Sequence, residues 1–262
     1  MLSTEGQDVL NFVVTGQCRC GASVIQTSVQ AHSQATCHAD LLHQDEDVRR
    51  ELHEGYFGTS RATDFPEYYV PGMTNPERYL TSRVFDNPLQ GERVIGVKLL
   101  YPQLVACDLW EYLHERSLEG DFTVIHVLRN PVACYVSWKQ AEQTGVFQQS
   151  INDQQSFECP LPVDLDPLAL TEFVRWHEAH EERIRRYVDD RLEIRYQELF
   201  LDYHNVMSHV FRFLELPPFS DVTPGVRRLK NRNMRERIAN FYTVRLSVPA
   251  DVRAYFDAED LF

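Results

Sequence analysis

The chain has 262 residues, of which 43% are apolar and 25% are charged, proportions typical of a globular domain large enough to bury a hydrophobic core. Its 26 Lys and Arg residues face 39 Asp and Glu residues, and the resulting net charge of −13 argues against nucleic acid or an anionic membrane as a general partner. No stretch reaches the roughly 18 consecutive apolar residues of a membrane helix, so we expect no membrane span.

Six cysteines are spread along the chain, whereas small secreted domains concentrate theirs in disulfides. We interpret them as reduced thiols of a cytoplasmic protein. Cys18 and Cys20, with Cys37 and His38, could be taken for a metal site, but the Cys-x-Cys spacing is shorter than that of ordinary zinc sites. The sequence therefore predicts no metal.

Near-continuous apolar runs predict four β-strands that are buried on both faces. They are residues 10–15 (LNFVVT), 94–100 (VIGVKLL), 122–128 (FTVIHVL) and 192–196 (LEIRY). Amphipathic patterns predict helices over residues 23–31, 104–118, 131–144, 168–188 and 198–214. Strands alternating with helices indicate an α/β fold, with a P-loop-like parallel sheet flanked by helices in a single domain over residues 1–262.

Two segments lack a regular pattern. Residues 55–91 hold four prolines and four glycines, and we predict an irregular insertion on the substrate side of the sheet, although a packed surface insertion would have the same composition. Its aromatic residues could stack on a sugar or a phenol. These are Tyr56, Phe57, Phe65, Tyr68 and Tyr69. Residues 145–166 are similar in composition, and we expect mobility there.

The first predicted strand ends in a glycine loop, Gly16-Gln-Cys-Arg-Cys-Gly21-Ala22-Ser23. Its spacing is that of a phosphate-binding loop, G-x-x-x-x-G-K-[ST], but Ala22 stands where the lysine would be. The loop amides and the following helix N-terminus can still bind an anion, with Arg19 as the nearby cation. This favours a group with less charge than a triphosphate, such as a sulfuryl group on a nucleotide 5′-phosphate. The glycines could also form only a tight turn.

Three predicted loops should open onto one edge of the sheet. In parallel sheets, ligands bind outside the carboxyl ends of the strands. The glycine loop follows the first predicted strand, Lys98 lies near the end of the second, and Arg129 follows the third directly. We therefore predict an anion-binding site at this edge.

Residues 124–138, VIHVLRNPVACYVSW, resemble the 3′-phosphate-binding signature of sulfotransferases that use 3′-phosphoadenosine 5′-phosphosulfate (PAPS). The resemblance implies that Arg129 and Ser137 bind the 3′-phosphate. The glycine loop then resembles the family's 5′-phosphosulfate loop, G-x-x-R-S-G-[TS]-[TS]. This implies that the donor contacts Gly16, Arg19, Cys20, Gly21, Ala22 and Ser23. Cys20 and Ala22 depart from the family's Ser and Thr and remove two hydroxyl donors.

Two C-terminal segments resemble the same family. Residues 192–217 are similar to its Y-E-D-L … F-L-G-L-P region, which implies that Tyr196 lies near the adenine. Residues 225–237 hold six basic residues and one acid, and resemble the basic segment that closes over the cofactor. The resemblance implies phosphate contacts from this segment, with Arg227, Arg228, Lys230 and Arg232 as the candidates. RIANF (237–241) and KQAEQTGVF (139–147) resemble a bacterial branch related to nodulation-factor sulfotransferases.

The resemblance implies transfer of a sulfuryl group from PAPS to a hydroxyl of a small-molecule or carbohydrate acceptor, with adenosine 3′,5′-bisphosphate as the product and no metal. Arg19 and Lys98 are candidates for stabilising charge on the sulfuryl group. Cytosolic members carry a catalytic histidine two residues after the strand-end lysine, where this chain has Leu100. Carbohydrate-type members use a carboxylate downstream of the first helix, which implies Asp40 as the base, with His38 as the second candidate.

Two other interpretations stay open at this point. A nucleotide kinase with a degenerate loop would explain the glycines, although Ala22 and the absence of an apolar run ending in a magnesium-binding Asp disfavour it. A non-catalytic nucleotide-binding protein of the same fold would explain Cys20, Ala22 and the uncertain base. We interpret His126 as a packed histidine without a catalytic role.

Overall fold

The computed structural model of the chain describes residues 9–42, 75–86, 88, 91–120, 122–147, 161–219, 222–226 and 233–258. At its centre lies a parallel sheet of five strands in the spatial order β2-β3-β1-β4-β5. The strands are β1 Leu10–Gly16, β2 Ala35–Ala39, β3 Val94–Leu100, β4 Phe122–Leu128 and β5 Arg191–Arg195. This sheet and its flanking helices confirm the predicted α/β fold.

Helices connect the strands and cover the sheet. They are α1 Ala22–Gln30, α2 Pro76–Tyr79, α3 Tyr101–Ala106, α4 Trp110–Ser117, α5 Pro131–Thr144, α6 Pro167–Tyr187, α7 Glu198–Leu201, α8 Tyr203–Phe213, α9 Met234–Arg237, α10 Phe241–Ser247 and α11 Ala250–Asp257. A π-helical turn, Leu80–Phe85, continues directly from α2. Helix α5 has the predicted bounds, because Pro131 occupies its first turn and the Asn130 side chain accepts a hydrogen bond from the Ala133 amide at 3.2 Å.

Two predicted helices are each divided in two. The helix predicted over 104–118 consists of α3 and α4, separated by Asp108, whose backbone is left-handed with φ of 50°. The helix predicted over 198–214 consists of α7 and α8, separated at Asp202 with φ of −146°. The predictions of single helices were wrong because apolar spacing continues across a break that changes the backbone of only one or two residues.

Strand β2 was not predicted from the sequence. Its five residues, ATCHA, include no aliphatic β-branched residue, and the strand lies at the edge of the sheet. On the outer edge of β2 no further strand of the described residues pairs with it, and side chains of helix α1 instead form hydrogen bonds with the β2 backbone. The Cys37 amide donates to Gln30 Oε1 at 2.7 Å, and Gln26 Nε2 donates to the Cys37 carbonyl at 2.6 Å. The strand after the glycine loop is therefore attached to the helix that the loop begins.

The two faces of the sheet are covered by different layers. Phe12 and Val14 of β1 pack on the side of α1 and α8, which we call the α1 face. Val13 packs on the side of α4 and α6, which we call the α6 face. A third apolar cluster joins α5 and α6 to the C-terminal helices α10 and α11. Alternate burial on both faces explains why the central strands are almost continuously apolar.

Several predicted features fall on residues outside this description. Of the predicted insertion at 55–91, the structure describes α2, the π-helical turn and a few neighbouring residues, whereas the five aromatic residues named above lie outside the described part. Most of the segment 145–166 also lies outside it. Within the described ranges, no helix combines the length and apolar character needed to cross a membrane.

Candidate functional site

The glycine loop after β1 depends on two glycines with positive φ. Gly16 has φ of 152°, and a Cβ atom added there would lie 2.5 Å from the Val127 carbonyl oxygen and 2.7 Å from Cys20 Sγ. Gly21 has φ of 101°, and an added Cβ would lie 2.9 Å from Cδ2 of Tyr196. Since a side chain fits at neither position, the glycines are required by close packing as well as by the turn. Helix α1 begins immediately afterwards at Ala22.

Lys98 reaches the loop from the neighbouring strand. The residue is only 4% exposed, and its Nζ donates to Ser23 Oγ at 3.1 Å and to Asp40 Oδ2 at 2.7 Å. Ser23 lies in the first turn of α1, next to the amides that can bind an anion. The ammonium of Lys98 therefore stands near the position of the positive charge that Ala22 removes from the loop.

Asp40, the favoured candidate base, is brought to Lys98 by a turn at the end of β2. Its backbone is left-handed, with φ of 54°, and its side chain is 27% exposed, compared with 5% for Lys98. The carboxylate can thus contact a ligand from solvent while its Oδ2 atom accepts the hydrogen bond from Lys98. His38 pairs in register with Val97, one residue before Lys98, so its side chain lies on the opposite face of the sheet.

Arg129 follows β4 and is 6% exposed. Its Nη1 donates to the Arg19 carbonyl at 2.7 Å, and its guanidinium lies 3.8 Å from the centroid of the Tyr196 ring. The Tyr196 amide in turn donates to the Leu128 carbonyl at 2.8 Å, which positions this ring beside the start of the same turn. Tyr196 is therefore packed between Arg129 and Gly21, and it holds the arginine against the glycine loop.

Arg19 connects the glycine loop to helix α5. Its Nε donates to Ser137 Oγ at 3.1 Å, and its Nη1 donates to the Phe147 carbonyl just beyond the end of α5. Burial, followed by the positive charge of Arg129, lowers the pKa of the Arg19 guanidinium from its usual value. The predicted residues Arg19, Arg129 and Ser137 thus come together in one cationic cluster.

The two thiols of the loop are neutral. Burial raises the pKa of Cys18 to about 11 and that of Cys20 to about 12. Cys20 is 1% exposed and packs beneath Gly16, so it fills space below the loop. Among the residues that the structure describes, no group of three or more His, Cys, Asp and Glu side chains could hold a metal ion.

The predicted basic segment lies outside the described residues. This applies to Arg227, Arg228, Lys230 and Arg232. Its flanking residues are described, and Gly225 donates its amide to Thr27 Oγ1 of α1 at 3.2 Å. The chain therefore enters this segment next to the helix that follows the glycine loop.

Sequence reasoning missed two contributors to this site. The carbonyl of Phe147 is a backbone group and has no sequence signal. Gln26 and Gln30 tie β2, and with it Asp40, to α1. Their signal was present, because Gln26 is a large polar residue on the buried face of α1, four positions before Gln30.

The model of the sulfotransferase domain family matches residues 12–256 of the chain. Among solved structures, a sulfotransferase from Alicyclobacillus acidocaldarius is 18% identical, with 95% of this chain and 94% of that chain covered and a TM-score of 0.48. The sulfotransferase domain of the Synechococcus PCC 7002 olefin synthase is 14% identical, with 97% and 90% covered and a TM-score of 0.44. No curated protein sequence matches the chain.

Proposed function

Because the chain belongs to the sulfotransferase domain family, we propose that it transfers a sulfuryl group from PAPS to a hydroxyl group of its acceptor. The family membership extends over almost the whole sequence and includes every residue of the site described above. It supports sulfuryl transfer in general. The identity of the donor, the class of acceptor and the role of each residue are parts of the proposal.

One observation carries the proposal: the turns after β1 and β4 are joined directly. Arg129 donates to the Arg19 carbonyl, and Arg19 donates to Ser137 on α5. A nucleotide with phosphates at both its 5′ and 3′ positions needs two anion sites on the same side of the sheet, close enough for one adenosine to connect them. Turns that opened onto opposite sides of the molecule could not serve such a ligand.

The residues present fit such a nucleotide. The packing leaves no room for a side chain at Gly16 or Gly21, and the loop amides lead into the N-terminus of α1, which attracts anions. The buried cations Lys98 and Arg129 provide charge at two separate positions along this edge. When bound, PAPS supplies the activated sulfuryl group, which is the chemistry that the side chains themselves lack.

We assign the roles of the side chains from their contacts. Arg129 and Ser137 bind the 3′-phosphate, while the loop amides and Ser23 bind the 5′ end. Lys98 neutralises charge at that end, since fixed cations near a developing negative charge are a major source of rate enhancement. A carboxylate oxygen of Asp40 accepts the proton of the acceptor hydroxyl, because Asp40 is partly exposed and lies on the Lys98 side of the edge.

A kinase function is disfavoured by the contact between Lys98 and Ser23. In a nucleotide kinase, the Ser or Thr of the loop binds magnesium. Here the hydroxyl of Ser23 lies 3.1 Å from an ammonium, whose positive charge repels a divalent cation. The arrangement supports a donor that is neutralised by side chains.

For the acceptor, we propose a carbohydrate or glycolipid hydroxyl. The support is the resemblance of residues 139–147 and 237–241 to the bacterial branch related to nodulation-factor sulfotransferases. We also propose a cytoplasmic location, because a reducing compartment would keep the thiols of Cys18 and Cys20 unoxidised within the donor loop.

Two measurements test the proposal. Calorimetry should give tighter binding of adenosine 3′,5′-bisphosphate than of ATP with magnesium; the reverse order would favour a kinase. Incubation with PAPS that carries ³⁵S-labelled sulfate should then label members of a panel of sugar, glycolipid and phenol acceptors. Tight binding of the bisphosphate without transfer to any acceptor would favour a non-catalytic nucleotide-binding protein.

A further inference from the structure

The Arg19 side chain makes its hydrogen bonds away from the 5′ end of the proposed donor site. As the cation of the glycine loop, it is expected beside the sulfuryl group. In the structure, its Nε contacts Ser137 Oγ of α5, and its Nη1 contacts the carbonyl of Phe147. Ser137 is the residue that we propose to bind the 3′-phosphate.

The direction of this side chain is supported by the backbone. Arg19 has φ of 71°, a left-handed conformation that few residues with a side chain adopt. Its carbonyl is held in that conformation by Arg129, which is itself packed against Tyr196. Arg19 is therefore oriented by the turn after β4, and the residues of that turn are the proposed contacts of the 3′-phosphate.

The Arg19 guanidinium makes its described hydrogen bonds to neutral groups only. The hydrogen-bond partners of the Arg19 guanidinium are a hydroxyl and a carbonyl, and within the described part of the chain no carboxylate lies within ion-pair distance of it. Burial and the charge of Arg129 both lower the pKa of Arg19, so its charged form is poorly stabilised there. A phosphate dianion would stabilise both guanidinium groups, and arginine forks suit phosphate oxygens.

The 5′ end already has another cation. Lys98 lies 3.1 Å from Ser23 Oγ, at the N-terminus of α1 and next to the candidate base Asp40. Lys98 comes from β3 and Arg19 from the loop after β1, and their hydrogen bonds lead to different helices, α1 and α5. The two cations therefore do not substitute for one another.

We infer that Arg19 is a specificity residue for the 3′-phosphate of the donor, where it acts with Arg129 and Ser137, and that Lys98 provides the cation at the sulfuryl end. This inference rests on the proposed function, since it requires a nucleotide with a 3′-phosphate. In this role, Arg19 selects the donor by its 3′-phosphate and does not stabilise charge on the sulfuryl group. The enzyme would then distinguish PAPS from nucleotides without a 3′-phosphate by two arginines.

The test compares the dissociation constants of adenosine 3′,5′-bisphosphate and adenosine 5′-monophosphate, measured by calorimetry on the full chain. The ratio of the second constant to the first reports the contribution of the 3′-phosphate alone. In Arg19→Gln, we expect this ratio to fall by about 10- to 100-fold, the range of a charged hydrogen bond. Arg19→Lys keeps the charge but loses the fork, and its ratio should fall less.

Two matched variants isolate the effect. Lys98→Met should weaken both nucleotides by a similar factor and leave the ratio unchanged. Lys139→Met removes a surface charge two residues after Ser137, where the lysine pairs with Glu142 at 2.8 Å, and it should change neither constant. Thermal unfolding of each variant checks that the fold is retained, and Arg19→Lys provides the measurement if Arg19→Gln does not fold.

The outcomes separate this inference from the proposed function. Equal weakening of both nucleotides by Arg19→Gln would place Arg19 at the 5′ end and overturn the inference, although the proposed function would stand. An unchanged affinity for both nucleotides would also overturn it. A wild-type ratio near one would contradict the proposed donor itself.

Discussion

The two faces of the sheet both bury ionisable side chains, but they use them differently. On the α1 face, Lys98 contacts Ser23 and Asp40 at the carboxyl edge, where the Asp40 side chain remains 27% exposed. On the α6 face, His126 is fully buried and hydrogen-bonded to the Tyr101 hydroxyl at 2.5 Å. The first group opens toward a ligand, whereas the second is closed by protein atoms.

The charges of the α6 face are balanced within the protein. Glu193 lies 3.7 Å from His126 Nδ1 and accepts hydrogen bonds from Arg185 at 2.9 Å and Arg191 at 3.1 Å. The nearby His126 ring, followed by the hydrogen bonds with the two arginines, holds the pKa of Glu193 well below its usual range. A buried ionisable group thus indicates a ligand site only where its neighbours leave charge for a ligand to neutralise, as the described hydrogen-bond partners of Arg19 do.

The largest expected effect is on turnover at the α1 face. Asp40→Asn keeps the shape of the side chain but removes the proposed base, and kcat should fall by about 10²- to 10⁴-fold. Adenosine 3′,5′-bisphosphate should still bind with nearly unchanged affinity, because the proposed role of Asp40 is toward the acceptor. Sulfate transfer and calorimetry measure the two quantities. A kcat close to that of the wild type would eliminate Asp40 as the base.

The next effect concerns donor affinity. Arg129→Ala removes a buried guanidinium that both faces the proposed 3′-phosphate and holds the Arg19 carbonyl. We expect binding of the bisphosphate to weaken by about 1.5–3 kcal/mol, the scale of a charged hydrogen bond. Calorimetry at constant salt measures it, with Lys139→Met as the surface control. Unchanged affinity would refute the placement of the 3′-phosphate.

At the α6 face, a change of pH should alter the free energy of unfolding without altering nucleotide binding. Burial lowers the pKa of His126 below the usual 6.5, so below that pH the unfolded chain binds more protons than the folded chain. The free energy of unfolding should therefore fall as the pH drops from about 6.5 toward the lowered pKa. In His126→Gln, this slope should decrease by at most about 1.4 kcal/mol per pH unit, the value for one proton.

Chemical denaturation at several pH values provides this measurement. Part of the slope should remain in the variant, because burial also lowers the pKa of His180. Bisphosphate affinity at pH 7.5 should not change, since His126 lies on the α6 face and contacts none of the proposed donor residues that the structure describes. A variant with the full wild-type slope would show that His126 is not the neutral, buried histidine described here, and a loss of affinity would remove the contrast between the two faces.

The smallest effect is expected at Tyr196. Tyr196→Leu removes the ring against which Arg129 packs, and bisphosphate binding should weaken by about 1 kcal/mol, which lies between the values for exposed and for desolvated cation–π contacts. Tyr196→Phe retains the ring and should bind the bisphosphate like the wild type. If the phenylalanine variant instead loses as much affinity as the leucine variant, the hydroxyl contacts the nucleotide, as the family resemblance implies for a residue near the adenine.

Much of the fold was predictable because its signals are local. The apolar runs of β1, β3 and β4 arise from burial on both faces, and Asn130-Pro131 specifies the start of α5 through a side-chain cap and a fixed φ. Strand β2 could not be predicted, because ATCHA becomes a strand by pairing with β3 and by contacts with Gln26 and Gln30. The breaks at Asp108 and Asp202 interrupt helices without interrupting their apolar pattern.

The sequence by itself determined the glycine loop, the spacing of Arg129 and Ser137, and the order of the elements that bring them to one edge, since each depends on residues close together in the chain. Tertiary structure alone decided that Lys98 meets Ser23 and Asp40, and that Arg19 turns toward Ser137. Those contacts join residues from different strands and helices. Their geometry depends on strand register and on left-handed backbone at Arg19 and Asp40, which no local pattern encodes.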